Sequence, residues 1–113
     1  MIQILHNPRC RKSREGVQFL EEHNVEFKIV NYLDDTLSES ELTEIISKLN
    51  ILPIDLVRKN ETIWKTNYKG KTLSDAEIIK AMVKNPKLIE RPIVISTNKA
   101  VIGRPKEAIK TIL

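Results

Sequence analysis

The chain has 113 residues, 41% hydrophobic and 30% charged, with a formal net charge of +4 at pH 7; that length fits one domain with a self-sufficient core. One cysteine excludes an intramolecular disulfide and any multi-cysteine metal site, and no stretch approaches the ~20 apolar residues of a membrane span. The moderate positive charge suits an anionic small molecule. A nucleic-acid surface would need stacking aromatics, and Phe19, Phe27, Tyr32, Trp64 and Tyr68 form no basic–aromatic repeat.

Ile2 to Leu5 is a short apolar run, the signature of a buried strand. From about Arg11 to His23 helix formers dominate, with Val17 and Leu20 on one face and His23-Asn24 as the stop. Val25, Phe27 and Ile29 then alternate with Glu26 and Lys28, which predicts a second strand through about Asn31. Strand, helix and strand in some thirty residues form a βαβ unit, so these two strands should be parallel.

Ser38 and Glu41 are spaced as a capping box, and Leu42, Ile45, Ile46 and Leu49 follow as a helical stripe that Pro53 breaks. Ile54 to Arg58 suits a further helical turn. Thr62 to Lys71 lacks a period, carries Gly70 and reads as loop or irregular helix. Ser74 and Glu77 repeat the capping box ahead of Ile78, Ile79, Met82 and Val83, and Asn85-Pro86 ends that helix.

Pro92 to Ile95 predicts a third strand, turned by Thr97-Asn98-Lys99 into Ala100-Val101-Ile102 as an antiparallel hairpin. Pro105 suits position N1 of a last helix packing Ala108, Ile109, Ile112 and Leu113. The order β-α-β, helices, β-β-α is that of an α/β thioredoxin-like fold. It implies one domain over residues 1–113, with a mixed four-stranded sheet, flanking helices and a helical insertion over about residues 36–88.

Cys10 carries the chemical signal. It falls at the strand-to-helix turn, near the positive end of a helix dipole, among Arg9, Arg11, Lys12 and Arg14, with no acid before Glu15. Such surroundings depress a thiol pKa and favour a nucleophilic thiolate at an anion-binding turn, whereas an inert core thiol would find them unfavourable. A free nucleophilic thiol belongs in a reducing compartment, and no basic segment with an apolar h-region opens the chain, so the cytoplasm is expected.

Arg58, Arg91 and Arg104 stand beside turn-forming positions, and a guanidinium fork matches oxyanions as a lysine ammonium cannot. Each alone reads as a solubilising arginine; together with the thiolate turn they read as clamps. Pro92 admits a cis bond beside that turn, although the residues by themselves favour an ordinary trans proline opening a strand. His6 suits hydrogen bonding to the turn or a charge near the thiol, and the two histidines lack zinc spacing with Cys10. Ser13 stands where Cys-x-x-Cys proteins carry a second cysteine, and is either a donor to the thiolate or a plain first-turn serine.

His6-Asn7-Pro8-x-Cys10-x-x-Ser13-Arg14, Leu56-Val57-Arg58-Lys59-Asn60, Arg91-Pro92-Ile93-Val94 and Gly103-Arg104-Pro105, in that order, make the chain resemble the glutaredoxin-dependent arsenate reductase (ArsC) family from end to end. The resemblance implies that Cys10 attacks As(V) and that Arg58, Arg91 and Arg104 hold the arsenate. It also implies that His6 and Ser13, with Arg14 of the same motif, support the thiol, and that Arg91-Pro92 is a cis link. Glutathione would be the co-substrate and glutaredoxin the recycling partner, with no bound cofactor or metal and a monomer as the default. Two other functions share this fold: a glutathione-dependent thiol oxidoreductase on another substrate, and a redox-sensing RNA-polymerase-binding regulator. Ser13 in place of a second cysteine counts against the regulator.

Overall fold

A computed structural model describes residues 1–113, which divide into two compact units: Met1–Asp35 with Arg91–Leu113, and Thr36–Glu90. The first unit is built on a four-stranded sheet. Its strands are β1 (Ile2–Leu5), β2 (Phe27–Val30), β3 (Ile93–Ile95) and β4 (Ala100–Ile102), in the spatial order β2-β1-β3-β4. β1 and β2 run parallel with Ile4 opposite Ile29, as the α1 crossover (Arg11–Glu22) requires, while β3 pairs antiparallel with both β1 and β4.

Ile4, Phe19, Leu20, Val94 and Ile109 form the buried core of this unit, with Val17, Val25, Phe27, Val101 and Ile112 packed around it. The sheet, α1 and the C-terminal segment thus each contribute to one core. Asn24 ends α1 by taking the left-handed conformation (φ 56°), which asparagine tolerates better than most residues.

Two expectations change in this unit. β2 begins at Phe27 rather than Val25, because β1 offers only four residues and its first, Ile2, already pairs with Phe27. As an edge strand, β2 also leaves Ile29 47% exposed, so only Val25 and Phe27 of the alternating set pack against the core. The last helix is a 3₁₀ helix, Lys106–Ile112, and Pro105 is its N-cap with an extended ψ of 163° rather than its first residue. Three residues per turn place Ile109 and Ile112 above one another, which suits a short segment with one narrow apolar edge.

The second unit is helical. α2 (Glu39–Leu49) begins at the expected capping box: Glu41 N–H donates to Ser38 Oγ at 3.0 Å, and Ser38 N–H to Glu41 Oε1 at 3.0 Å. Leu42, Ile45 and Ile46 are its buried stripe. It stops at Asn50, which takes the left-handed conformation (φ 57°); Pro53 does not break it but opens a separate 3₁₀ turn, Pro53–Leu56.

α3 (Thr62–Asn67) occupies the stretch without a period, since six residues are too few to show one. Trp64 buries there and stacks on Tyr68, ring centroids 5.4 Å apart. α4 (Asp75–Lys84) carries the second capping box, packs on α2 and is followed by a 3₁₀ turn at Pro86–Leu88. An antiparallel bridge between Val57 and Ile89 ties this unit together. No helix is long and apolar enough to cross a membrane.

Candidate active site

β1 ends at Leu5, and Asn7-Pro8-Arg9-Cys10 turns the chain into α1. Cys10 N–H donates to the Asn7 carbonyl (3.0 Å) and Arg9 N–H to Asn7 Oδ1 (3.0 Å). Asn at the first position and Pro at the second are the residues such a turn favours. Cys10 is then the N-cap of α1, with extended backbone (φ −94°, ψ 122°), and no acid lies in the first helical turn. The N–H groups of that turn have no acceptor within the helix and project a partial positive charge.

Behind the turn His6, Asn7 and Ser13 are buried together. Ser13 Oγ lies 2.6 Å from His6 Nδ1 and accepts Asn7 N–H at 2.9 Å, so the hydroxyl is shared between these two. The Ser13 backbone N–H, at the start of α1, instead favours the ionised form of the Cys10 sulfur. Burial lowers the His6 pKa below 6.5, with the Arg14 charge acting the same way against the raising effect of Ser13. That shift favours the neutral ring, which serves as a hydrogen-bonding support behind the turn. Arg14 Nη1 donates to the Pro8 carbonyl at 3.0 Å, bracing the outer side of the turn.

The cations adjacent in sequence are not the ones that act on the sulfur. Arg11 and Lys12 lean toward Glu15 along α1, at 3.8 and 3.6 Å, with side chains 85% and 55% exposed. Arg104 instead reaches Cys10 Sγ with Nη2 at 3.6 Å while its Nε donates to the Arg91 carbonyl at 2.9 Å. Arg91 is buried, and its guanidinium also acts on the thiol. Burial pushes the Cys10 pKa up, but the Ser13 N–H, Arg91 and Arg104 together outweigh it and bring the thiol down from 9.0 to about 7. The Ser13 N–H acts on the sulfur's charge without completing a helix-capping hydrogen bond.

The Arg91–Pro92 peptide is cis, where the residues by themselves favour trans; the Arg104–Pro105 peptide is cis as well. Pro92 sits between two glycines: a Cβ on Gly16 would come 2.8 Å from Pro92 Cγ, and one on Gly103 would come 3.0 Å from it. Gly103 N–H also donates to the Pro92 carbonyl at 2.8 Å. That close approach seats the proline link against α1 and fixes where Arg91 and Arg104 emerge.

Cys10, Arg91 and Arg104 thus come together with His6, Ser13, Arg14 and Pro92 in one unit. Arg58 belongs to the helical unit, where its N–H donates to the Leu88 carbonyl (2.7 Å) and its Nη1 pairs with Glu61 at 3.5 Å. No group of three or more His, Cys, Asp or Glu side chains stands together to hold a metal ion. Sequence reasoning gave no role to Asn7, although an Asn-Pro pair three residues before a helix-capping cysteine is a readable turn signal.

The family model described as "ArsC family" matches residues 5–112. The chain belongs to the ArsC family. As an ArsC-family member it is 42% identical over 112 residues to an arsenate reductase of Haemophilus influenzae, covering 97% of each chain. It is 41% identical over 114 residues to the uncharacterized protein YfgD of Escherichia coli, covering 99% of this chain and 96% of that one. Among solved structures, an arsenate reductase from Vibrio cholerae matches with a TM-score of 0.95 and 37% identity, covering 99% of this chain and 97% of the other. The thioredoxin-like α/β architecture is that of the ArsC family.

Proposed function

We propose that this ArsC-family protein is an arsenate reductase of the cytoplasm that uses Cys10 as nucleophile, glutathione as co-substrate and glutaredoxin as recycling partner. The observation that carries the reading is the Cys10 thiol, brought to about pKa 7 with the Arg104 guanidinium 3.6 Å away. The name arsenate reductase on relatives that align over nearly the whole chain supports it.

In the first step the Cys10 thiolate attacks As(V) and displaces an oxygen as water after protonation, forming an S–As bond. Arg91 and Arg104, with Arg58 as the family resemblance implies, neutralise the oxyanion through their planar donor forks. A glutathione thiolate then attacks Cys10 Sγ. The S–As electron pair stays on arsenic, which leaves as arsenite, As(III), and the two thiols become a Cys10–glutathione disulfide. A glutaredoxin thiolate takes the glutathione sulfur and returns Cys10 as thiolate. A chain with one cysteine suits this cycle, since every resolving thiol comes from elsewhere. Ser13, fully buried, offers no partner for a disulfide switch of the regulator type.

The test is NADPH oxidation with arsenate, glutathione, glutaredoxin and glutathione reductase, comparing wild type with Cys10→Ser. Arsenate-dependent turnover lost in the variant is the expected result. Absence of turnover with several glutaredoxins, while Cys10 still reacts rapidly with disulfides, would reject arsenate in favour of another thiol-linked substrate.

A further inference from the structure

We propose that Asn7 is the positioning residue for the Cys10 sulfur, holding the turn so that Sγ faces the Arg104 guanidinium. The inference rests on Cys10 being the reactive group of the site.

Asn7 is 7% exposed and touches three separate parts of the turn. Its Oδ1 accepts Arg9 N–H at 3.0 Å, its carbonyl accepts Cys10 N–H at 3.0 Å, and its own N–H donates to Ser13 Oγ at 2.9 Å. Pro8 has no N–H. Asn7 therefore takes up the amides of both residues that follow Pro8, Arg9 and Cys10, and Arg14 N–H returns to the Cys10 carbonyl at 3.0 Å. The amides left at the helix start belong to Arg11, Lys12 and Ser13, and that of Ser13 acts on the sulfur.

Two hydrogen bonds fix the conformation of the four residues from Asn7 to Cys10, one backbone and one from the Asn7 side chain. The direction of the Cys10 Cα–Cβ bond follows from that conformation. Its contact with Arg104 is already 3.6 Å long, so little displacement is tolerated before the sulfur loses that donor. Removing Oδ1 leaves Arg9 N–H without its acceptor and frees half of the turn, while the backbone bonds of residue 7 stay available. A side chain that serves only the fold would affect stability alone; one that aims the sulfur must also change the thiol.

The experiment uses the 113-residue chain, in which Cys10 is the only thiol, so alkylation by iodoacetamide reports on it without background. Rates are measured against pH for wild type, Asn7→Ala and Asn7→Ser, beside urea unfolding curves. Asn7→Ala should move the alkylation midpoint up by about one unit, a roughly fivefold loss of thiolate at pH 7. Asn7→Ser should recover part of the shift, because a serine hydroxyl makes the same turn more weakly. A folded Asn7→Ala protein with the wild-type midpoint overturns the proposal. If the alanine variant does not fold, Asn7→Ser decides: reduced stability with an unmoved midpoint assigns Asn7 to the fold alone and overturns it. Alkylation needs no arsenate, so failure of the reductase reading gives a different result, namely no turnover with the midpoint shift intact.

Discussion

At the scale of single residues, the chemistry converges on one sulfur. Its folded value of about 7 lies below the ordinary 9.0, so ionised Cys10 stabilises the fold. That contribution is complete above the unfolded value and is lost as pH falls through about 7. The stability gap between wild type and Cys10→Ser, followed by thermal melts, should therefore shift in favour of wild type as pH rises across that window. His6 adds an opposing limit on the acid side: its ring is held neutral, so stability should decline as pH falls below 6.5. Arg104 bridges the Arg91 carbonyl and the sulfur with two different nitrogens. A lysine ammonium reaches one or the other, so if the protein is the arsenate reductase proposed, Arg104→Lys should lower kcat/KM for arsenate about 10- to 100-fold, the worth of a charge-assisted hydrogen bond. Steady-state kinetics that match wild type would remove Arg104 from the clamp.

At the scale of elements, local sequence signals specify most boundaries. The Ser38–Glu41 and Ser74–Glu77 boxes form as spaced, because both partners lie within one turn and need no other part of the chain. Ser38→Ala should cost about 1 kcal/mol, read from the urea midpoint at unchanged slope. The signals that misled are those that depend on neighbours. β2 is shorter than its alternation because its partner strand is short, and Ile29 is exposed because β2 lies at an edge. The C-terminal segment is helical as expected, yet its winding is 3₁₀, a choice that a seven-residue apolar pattern does not resolve.

At the scale of the whole chain, the unit that holds Cys10 is assembled from two distant stretches, Met1–Asp35 and Arg91–Leu113. Ile4 from the first stretch and Val94 from the second are both fully buried in its core and pair across β1 and β3. Ile4→Ala should cost about 2–5 kcal/mol in a denaturant titration, as for other large-to-small changes at closed core sites. Because Arg91 and Arg104 reach the sulfur only through this assembly, unfolding should release the thiol. In denaturing urea the Cys10 alkylation profile is expected to move from about 7 toward 9.0. A midpoint that stays near 7 in the unfolded chain would mean that Arg9, Arg11, Lys12 and Arg14 suffice.

The sequence by itself determined the order of the four strands and of α1, α2 and α4, both capping boxes, the parallel β1–β2 and antiparallel β3–β4 pairings and the placing of Cys10 at a helix start. Each depends on spacings of a few residues or on the handedness of a crossover. It also marked Arg91 and Arg104, but not what they do to the sulfur. Only the tertiary structure decided that Arg11 and Lys12 turn toward Glu15 while Arg104, far along the chain, reaches Cys10 Sγ. Likewise, only it showed the Ser13 hydroxyl shared between His6 and Asn7. The physical reason is that charge acts through distance and burial, and sequence adjacency measures neither once long, solvated side chains can point away.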